Sequence, residues 1–278
     1  MKADVQAIIG GDEVTTKSFS YTVALKKNGK FYCSGSIIDE NHVITAARCL
    51  ISDGSIQQQY PAMQVVVGTN NYKTSESKGK IFDVTEFHVP TEYFSIDSLK
   101  ERVGDIAVLK LKQTIDLSKA NKFARKVELD TDPTRKIKAA MISGFGWSSI
   151  RSVIDPKTGK KFDVVGSSGK LKKALVSILP SDECAAQKNK LLTDNAHLCA
   201  RLKQIKPKSG QGLCKGDGGA PLVFGDILVA VASTNDEICD ESKNPGMYTK
   251  IANYADFIKR AMNGTPRPDI FSIELPIK

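Results

Sequence analysis

Apolar residues in this chain come in short bursts, and that spacing limits what it can fold into. The segments 21–25 (YTVAL), 36–45 (SIIDENHVIT), 64–68 (QVVVG), 81–87 (IFDVTEF), 105–111 (DIAVLKL), 138–146 (KAAMISGFG) and 227–233 (ILVAVAS) are rich in Val, Ile, Phe or Tyr. Clusters of Gly, Asn, Asp or Lys bound them. Runs of this length and composition read as strands, and their spacing argues for an all-β barrel or sandwich rather than alternating βαβ units. One segment departs from the pattern. In 253–262 the residues Tyr254, Phe257, Ile258 and Ala261 recur at helical spacing, with Asn253 placed to cap the first turn. Three stretches are expected as long loops or tails: 52–62, with Gln57-Gln58-Gln59; 148–173, rich in Lys and Gly; and everything from Asn263 on, with Pro266, Pro268 and Pro276. No internal repeat is visible.

A chain of 278 residues can bury roughly three quarters of its unfolded surface. No run nears the ~20 apolar residues of a membrane helix, so no membrane span is expected. Lys and Arg number 40 against 31 Asp and Glu, a net charge of +9. Such a surface attracts anionic partners, among them sulfated glycans and acidic protein patches. The lysines are scattered and no nucleic-acid motif accompanies them, so specific nucleic-acid binding is not expected. The six cysteines, Cys33, Cys49, Cys184, Cys199, Cys214 and Cys239, fit disulfides and hence an extracellular compartment, while spacing alone leaves their pairing open. No CxxC pair occurs and there are three histidines, His42, His88 and His197, so neither zinc nor another cofactor is expected. Residues 1–7 hold no apolar signal segment. A secreted chain would have lost its signal already, and 1–7 read as a residual pro-segment or added extension.

Five local signatures coincide in one order: 8–11 (IIGG), 44–49 (ITAARC), 105–111 (DIAVLKL), 144–147 (GFGW) and 214–221 (CKGDGGAP). The chain thereby resembles the chymotrypsin-like serine proteases, whose equivalents are IVGG, LTAAHC, DIALLKL, GWG and CxGDSGGP. The resemblance runs from Ile8 to about Met262. It implies two six-stranded antiparallel β-barrels with the site in the cleft between them and a C-terminal α-helix. It implies the pairings Cys33–Cys49, Cys184–Cys199 and Cys214–Cys239, a domain over 8–262, and an extension over 263–278.

The resemblance also says what the chemistry lacks. That reaction needs a serine nucleophile, a histidine base and an aspartate that holds the imidazole. Asp105 stands at the aspartate, but Arg48 stands at the histidine and Gly218 at the serine. Glycine supplies no nucleophile, and a guanidinium stays protonated near neutrality. The amides of Gly216 and Gly218 remain as the remnant of an oxyanion hole. Ser36, Ser143 and Ser233 fall in strand-like runs, Ser233 at a structural serine of the family's cleft, and none lies beside a plausible base; the three histidines match no catalytic position and are expected to be surface or structural. At the specificity pocket the family's basic-residue aspartate is Gly212, followed by Leu213. The family's SWG reads Ser233-Thr234-Asn235, which loses the tryptophan wall and adds a side chain where glycine leaves the pocket open; Pro245 and Gly246 are kept. Ile8 and Asp217 match the activation pair, whose ion pair is expected to form only once 1–7 are removed. With 1–7 attached, the loops at 212–217 and 148–173 are expected to be mobile. Arg48 is expected to turn toward Asp105 or toward the vacant serine position. No calcium is expected, since Thr69 replaces the first glutamate of the family's calcium loop and Glu76 alone lies near another.

Within that family, a small residue (Ala7) before Ile8 is similar to mite group 3 allergen trypsins. The doubly altered triad resembles the scabies mite inactivated serine protease paralogues, which are associated with inhibition of host complement. The implied function is therefore protein binding, with host defence proteins, complement foremost, as partners. The alternatives are a basic homologue that binds anionic glycans such as heparin, a regulatory cofactor of a protease cascade, and an unconventional enzyme. The expected binding loop is 148–173, which carries Lys157, Lys160, Lys161, Lys170, Lys172 and Lys173. Asn263-Gly264-Thr265 is a glycosylation sequon just past the helix.

Overall fold

The computed structural model describes residues 8–15, 17–51, 60–73, 79–94, 103–118, 121–147, 149–154, 161–188, 196–203, 212–233, 239, 245–264 and 268–277, with backbone alone at 149–154, 161–166, 185, 187 and 188. A two-residue strand, β1 (Asp12–Glu13), precedes β2 (Thr22–Lys27), β3 (Lys30–Ile37), β4 (His42–Thr45), β5 (Met63–Val67), β6 (Lys80–Pro90) and β7 (Ala107–Leu111). Their hydrogen-bonded order is β5-β2-β3-β4-β7, and β6 pairs with both β5 and β7. That double pairing closes a six-stranded antiparallel barrel.

A short β8 (Glu128–Leu129) leads into the second set. It comprises β9 (Ala139–Gly144), a separate hairpin of β10 (Ser149–Ile154) and β11 (Lys161–Gly166), β12 (Lys172–Ile178), helix α1 (Ser181–Lys188), β13 (His197–Leu202), β14 (Pro221–Phe224), β15 (Ile227–Ala232) and β16 (Gly246–Lys250). The order β12-β13-β16-β15-β14-β9 closes through a β9–β12 pairing into a second six-stranded barrel. Helix α2 (Ala255–Met262) and a last strand, β17 (Ile270–Glu274), complete the chain. The observed architecture is thus the two antiparallel barrels and C-terminal helix expected from the sequence.

Local chemistry explains the strand geometry. Asn28 and Gly29 both take positive φ between β2 and β3, the combination a tight two-residue hairpin demands. Register shifts at Leu25/Lys26, Val84/Glu86 and Leu222/Val223 bend strands that must curve to close. Alternation sends Val23, Leu25, Val65, Val84, Phe87 and Leu109 into the first barrel, and Ile142, Val176, Leu222, Val229 and Tyr248 into the second. A third cluster joins the two. Tyr21, Ile44, Ile106 and Val108 from the first barrel meet Val223, Leu228 and Val231 from the second, and Phe257, Ile258 and Ala261 of α2 cover them. Each large side chain so buried contributes up to about 1.5–3 kcal/mol, which fixes the angle of the cleft. The three disulfides pair as the resemblance implies: Cys33–Cys49, Cys184–Cys199 and Cys214–Cys239.

Three local expectations are corrected. The segment 148–173 is not one loop: it holds the β10–β11 hairpin and the start of β12. The tail is not loose throughout, because β17 pairs with β6 in the register Ile270↔Pro90 to Glu274↔Glu86. Asn253 does not cap α2; it lies inside a 3-10 turn (Ala252–Tyr254), and Tyr254 occupies the cap position without a side-chain hydrogen bond. The apolar stripe does the work instead, since Tyr254, Phe257, Ile258 and Ala261 are all buried.

Candidate functional site

Arg48 sits in the single 3-10 turn Ala47–Cys49, directly after β4, and the Cys33–Cys49 bridge ties that turn to β3. Asp105 immediately precedes β7 and is fully buried. A buried carboxylate is costly unless it is paired and hydrogen-bonded. Asp105 meets that demand completely. One of its carboxylate oxygens accepts the Arg48 backbone amide at 2.9 Å; the other accepts Arg48 Nε at 2.5 Å and the Ser233 hydroxyl at 2.6 Å. Arg48 Nη2 in turn donates to Ser233 Oγ at 3.2 Å. Thr249 Oγ1 donates to the Asp105 carbonyl at 3.0 Å. The Arg48 side chain is 13% exposed, so the pair is largely out of water. Of the two orientations expected for Arg48, the one toward Asp105 is observed. The network also crosses the cleft, since Ser233 and Thr249 belong to the second barrel.

Gly218 lies in the turn that follows Cys214. Within it, Asp217 N donates to the Cys214 carbonyl at 2.9 Å, Ala220 N to that of Asp217 at 2.9 Å, and Gly219 N to that of Ala232 at 2.8 Å. Two residues of the first barrel that sequence reasoning missed hold this turn. Ser34 N donates to the Gly218 carbonyl at 3.0 Å, Ser34 Oγ donates to that of Gly216 at 3.1 Å, and Thr45 Oγ1 donates to that of Ser34 at 2.8 Å. Their role is a long-range contact; Thr45 lies within the 44–49 motif, but the motif does not reveal its partner across the cleft. Gly219 has φ +75, and a Cβ there would run into Thr45 Oγ1, so the approach of the barrels requires glycine.

The Asp217 carboxylate is fully buried and accepts the amides of Gly146 at 3.0 Å and Cys214 at 3.1 Å. A side chain on Gly146 would collide with that carboxylate, which accounts for the second glycine of GFGW. Ile8 is fully buried beside Leu213, and Ile9 exchanges two backbone hydrogen bonds of 3.0 Å with Gly212. The Ile8 side chain is thus docked against the segment that leads to Asp217. An ion pair between Ile8 and Asp217 would in addition need a free ammonium on Ile8, which only cleavage before that residue supplies. Gly246 opens β16, and Ser233 N donates to the Met247 carbonyl at 2.8 Å beside it. Thr234 and Asn235 lie outside the described residues.

Of the expected lysine loop, Lys170, Lys172 and Lys173 are described. Lys172 is 1% exposed in β12, with Nζ 3.3 Å from Glu13 of β1, and burial pushes its pKa down. Lys170 Nζ binds the same carboxylate at 2.9 and 3.1 Å, and that hydrogen bond holds the Glu13 pKa below its ordinary value. Lys173 Nζ lies 5.6 Å from the Phe19 ring centroid. Lys157, Lys160 and the Lys161 side chain lie outside the described residues. The three histidines are buried rather than on the surface, and Ser36 and Ser143 are buried too, Ser143 Oγ sharing a 2.7 Å hydrogen bond with Thr22. Asn263 is exposed at the end of α2. Among the described residues no helix is long and apolar enough to cross a membrane.

This geometry can be set beside known proteins. Human kallikrein-15 is 30% identical over 260 residues, covering 93% of this chain and 92% of that protein. Trypsin delta of Drosophila erecta is 28% identical over 255 residues, covering 91% and 87%. Neuropsin, a serine protease expressed in the limbic system of mouse brain, superposes with a TM-score of 0.68 at 22% identity, over 91% of this chain and 98% of its own, and that likeness speaks to the fold alone. The family model described as trypsin matches residues 8–258. On that match, the chain belongs to the trypsin family.

Proposed function

We propose that this is a secreted trypsin-family protein that binds partners and does not cleave them. The observation that carries the reading is the Arg48–Asp105–Ser233 network. A protonated guanidinium takes the carboxylate oxygen that would orient a base, and Gly218, across the cleft, offers no hydroxyl. Loss of the serine or histidine alone costs about 10⁶-fold in turnover in a related triad, and here both positions are changed. The relatives named above are proteases, so the reading rests on these positions and not on the family. The experiment is a broad peptide-substrate screen alongside labelling with a fluorophosphonate. Neither turnover nor labelling is expected, and either one would return the protein to the enzymes.

For partners, host defence proteins, complement foremost, fit a molecule that keeps its scaffold while losing its chemistry. Three disulfides suit an extracellular setting. Complement-mediated lysis with and without the purified chain, followed by capture from plasma and mass spectrometry, tests this part. Unchanged lysis would remove complement. The +9 charge supports anionic glycans as the second reading, checked by salt-dependent retention on heparin.

A further inference from the structure

A cavity of about 440 Å³ opens on the first barrel, and none of the cleft residues lines it. Its floor is the end of the barrel core: Val67, Phe82, Ile115 and Ala124, all buried. Phe123 stands at its wall, 40% exposed, with Lys17 Nζ 4.0 Å from the ring centroid. Lys80, Thr114 and Asn121 add polar groups. Asp116 is the one carboxylate among the lining residues and stays charged. It accepts the Ser118 amide at 2.9 Å, which holds its pKa below the ordinary carboxylate value, and its carbonyl accepts Asn121 Nδ2 at 2.5 Å. Lys122 is the exposed chain neighbour of Phe123.

A concave apolar floor with a few polar groups at its edge is the usual form of a recognition pocket. Around the edge, Lys80 lines the cavity, Lys17 sits over the Phe123 ring and Lys122 precedes Phe123 in the chain, three ammonium groups against the one carboxylate of Asp116. Such a mouth favours an apolar anchor carried by an acidic chain, because charge attracts the flanks while burial of the anchor supplies affinity. A free small molecule confined to the cavity would leave Lys17 and Lys122 unused. We propose that this cavity docks an acidic segment of a partner protein that inserts one aromatic or large aliphatic side chain. The proposal rests on the reading that the protein works by binding, and it gives that binding a surface outside the cleft.

The test uses the full chain and a fluorescein-labelled synthetic peptide of Asp, Glu and Gly with one central Phe, titrated by fluorescence anisotropy. Saturable binding is expected. Exchanging the peptide Phe for Ala should weaken it about tenfold or more. Thr114→Trp, which fills the cavity from an exposed position, should have a similar effect. Lys80→Glu should weaken binding and flatten its salt dependence. Lys203→Glu on the second barrel should leave it unchanged, and melting curves check that each variant is folded. The proposal fails if binding does not saturate. It also fails if Thr114→Trp and the peptide Ala exchange have no effect, or if Lys203→Glu weakens binding as much as Lys80→Glu, since charge alone would then explain the attraction. Protease activity, or no effect on complement, would count against the reading in the previous subsection and leave this result standing.

Discussion

Arg48 decides more than the chemistry of the cleft; it also holds the two barrels in register. Its guanidinium neutralises a fully buried carboxylate and reaches Ser233 on the opposite barrel. Removing one partner of such a pair leaves a buried charge uncompensated, at a cost of about 3–5 kcal/mol. Arg48→Ala is therefore expected to destabilise the chain by roughly 3 kcal/mol, read as a fall in the denaturant midpoint. Arg48→Ala/Asp105→Asn, which removes the charge as well, should recover part of the loss. An unchanged midpoint in the single variant would mean that water already compensates Asp105. The degenerate positions were legible in the sequence because each sits inside a short motif with fixed neighbours. The roles of Ser34 and of Thr45, although Thr45 lies within ITAARC, were not. Their importance lies in contacts with Gly216, Gly218 and Gly219, more than 170 residues away in the chain.

At the scale of elements, the short apolar bursts marked barrel strands and the 3.6-residue stripe marked α2, but β17 escaped notice. Its reason for existing lies in β6. That strand pairs with β5 only over Lys80–Asp83, while β7 takes its other side over Val84–His88. The edge from Glu86 to Pro90 would otherwise remain open, and β17 covers it. Leu275 and Ile270 are buried there, and the Phe271 ring meets Phe94 edge-on at 4.8 Å. Polar contact at the seam comes from His88, whose Nδ1 lies 2.7 Å from Ser272 Oγ. Burial holds the His88 pKa below its ordinary value, His42 and Lys110 add to that, and Glu86 opposes it. Because the folded-state pKa is depressed, the contribution of neutral His88 is fully present above about pH 6.5 and is lost as pH falls through the folded value. Amide exchange at Ile270–Glu274, corrected for intrinsic rates, should therefore lose protection as pH falls below about 6.5. In His88→Leu the pH dependence should shrink. Equal loss of protection in both proteins would assign the effect to other groups.

For the whole molecule, fold and chemistry separate. The bulk of the core lies in residues that maintain two closed barrels, while Arg48 and Gly218 face the cleft between them. The fold could thus be read from periodicity and motif order, whereas the cavity on the first barrel could not, because Val67, Phe82, Ile115 and Phe123 come from separate segments that meet only after closure. Restoring the triad tests this separation. Gly218 is not among the glycines of positive φ, so the backbone there accepts a serine. Arg48→His would release the carboxylate oxygen of Asp105 that Nε now occupies, and an imidazole could take it. The double variant Arg48→His/Gly218→Ser should therefore fold and label slowly with a fluorophosphonate. Efficient turnover needs more than reactive groups, because a substrate must be held in line with the nucleophile, and misplacement by about 1 Å costs on the order of 100-fold. Gly212 is engaged with Ile9 through its backbone and offers no charge to a basic side chain. Peptides with basic, aromatic or small residues before the scissile bond are accordingly expected to turn over at least about 100-fold more slowly than with an active family member assayed in parallel. Equal kcat/KM values would mean that the pocket has remained intact and that the proposed inactivity rests on Arg48 and Gly218 alone.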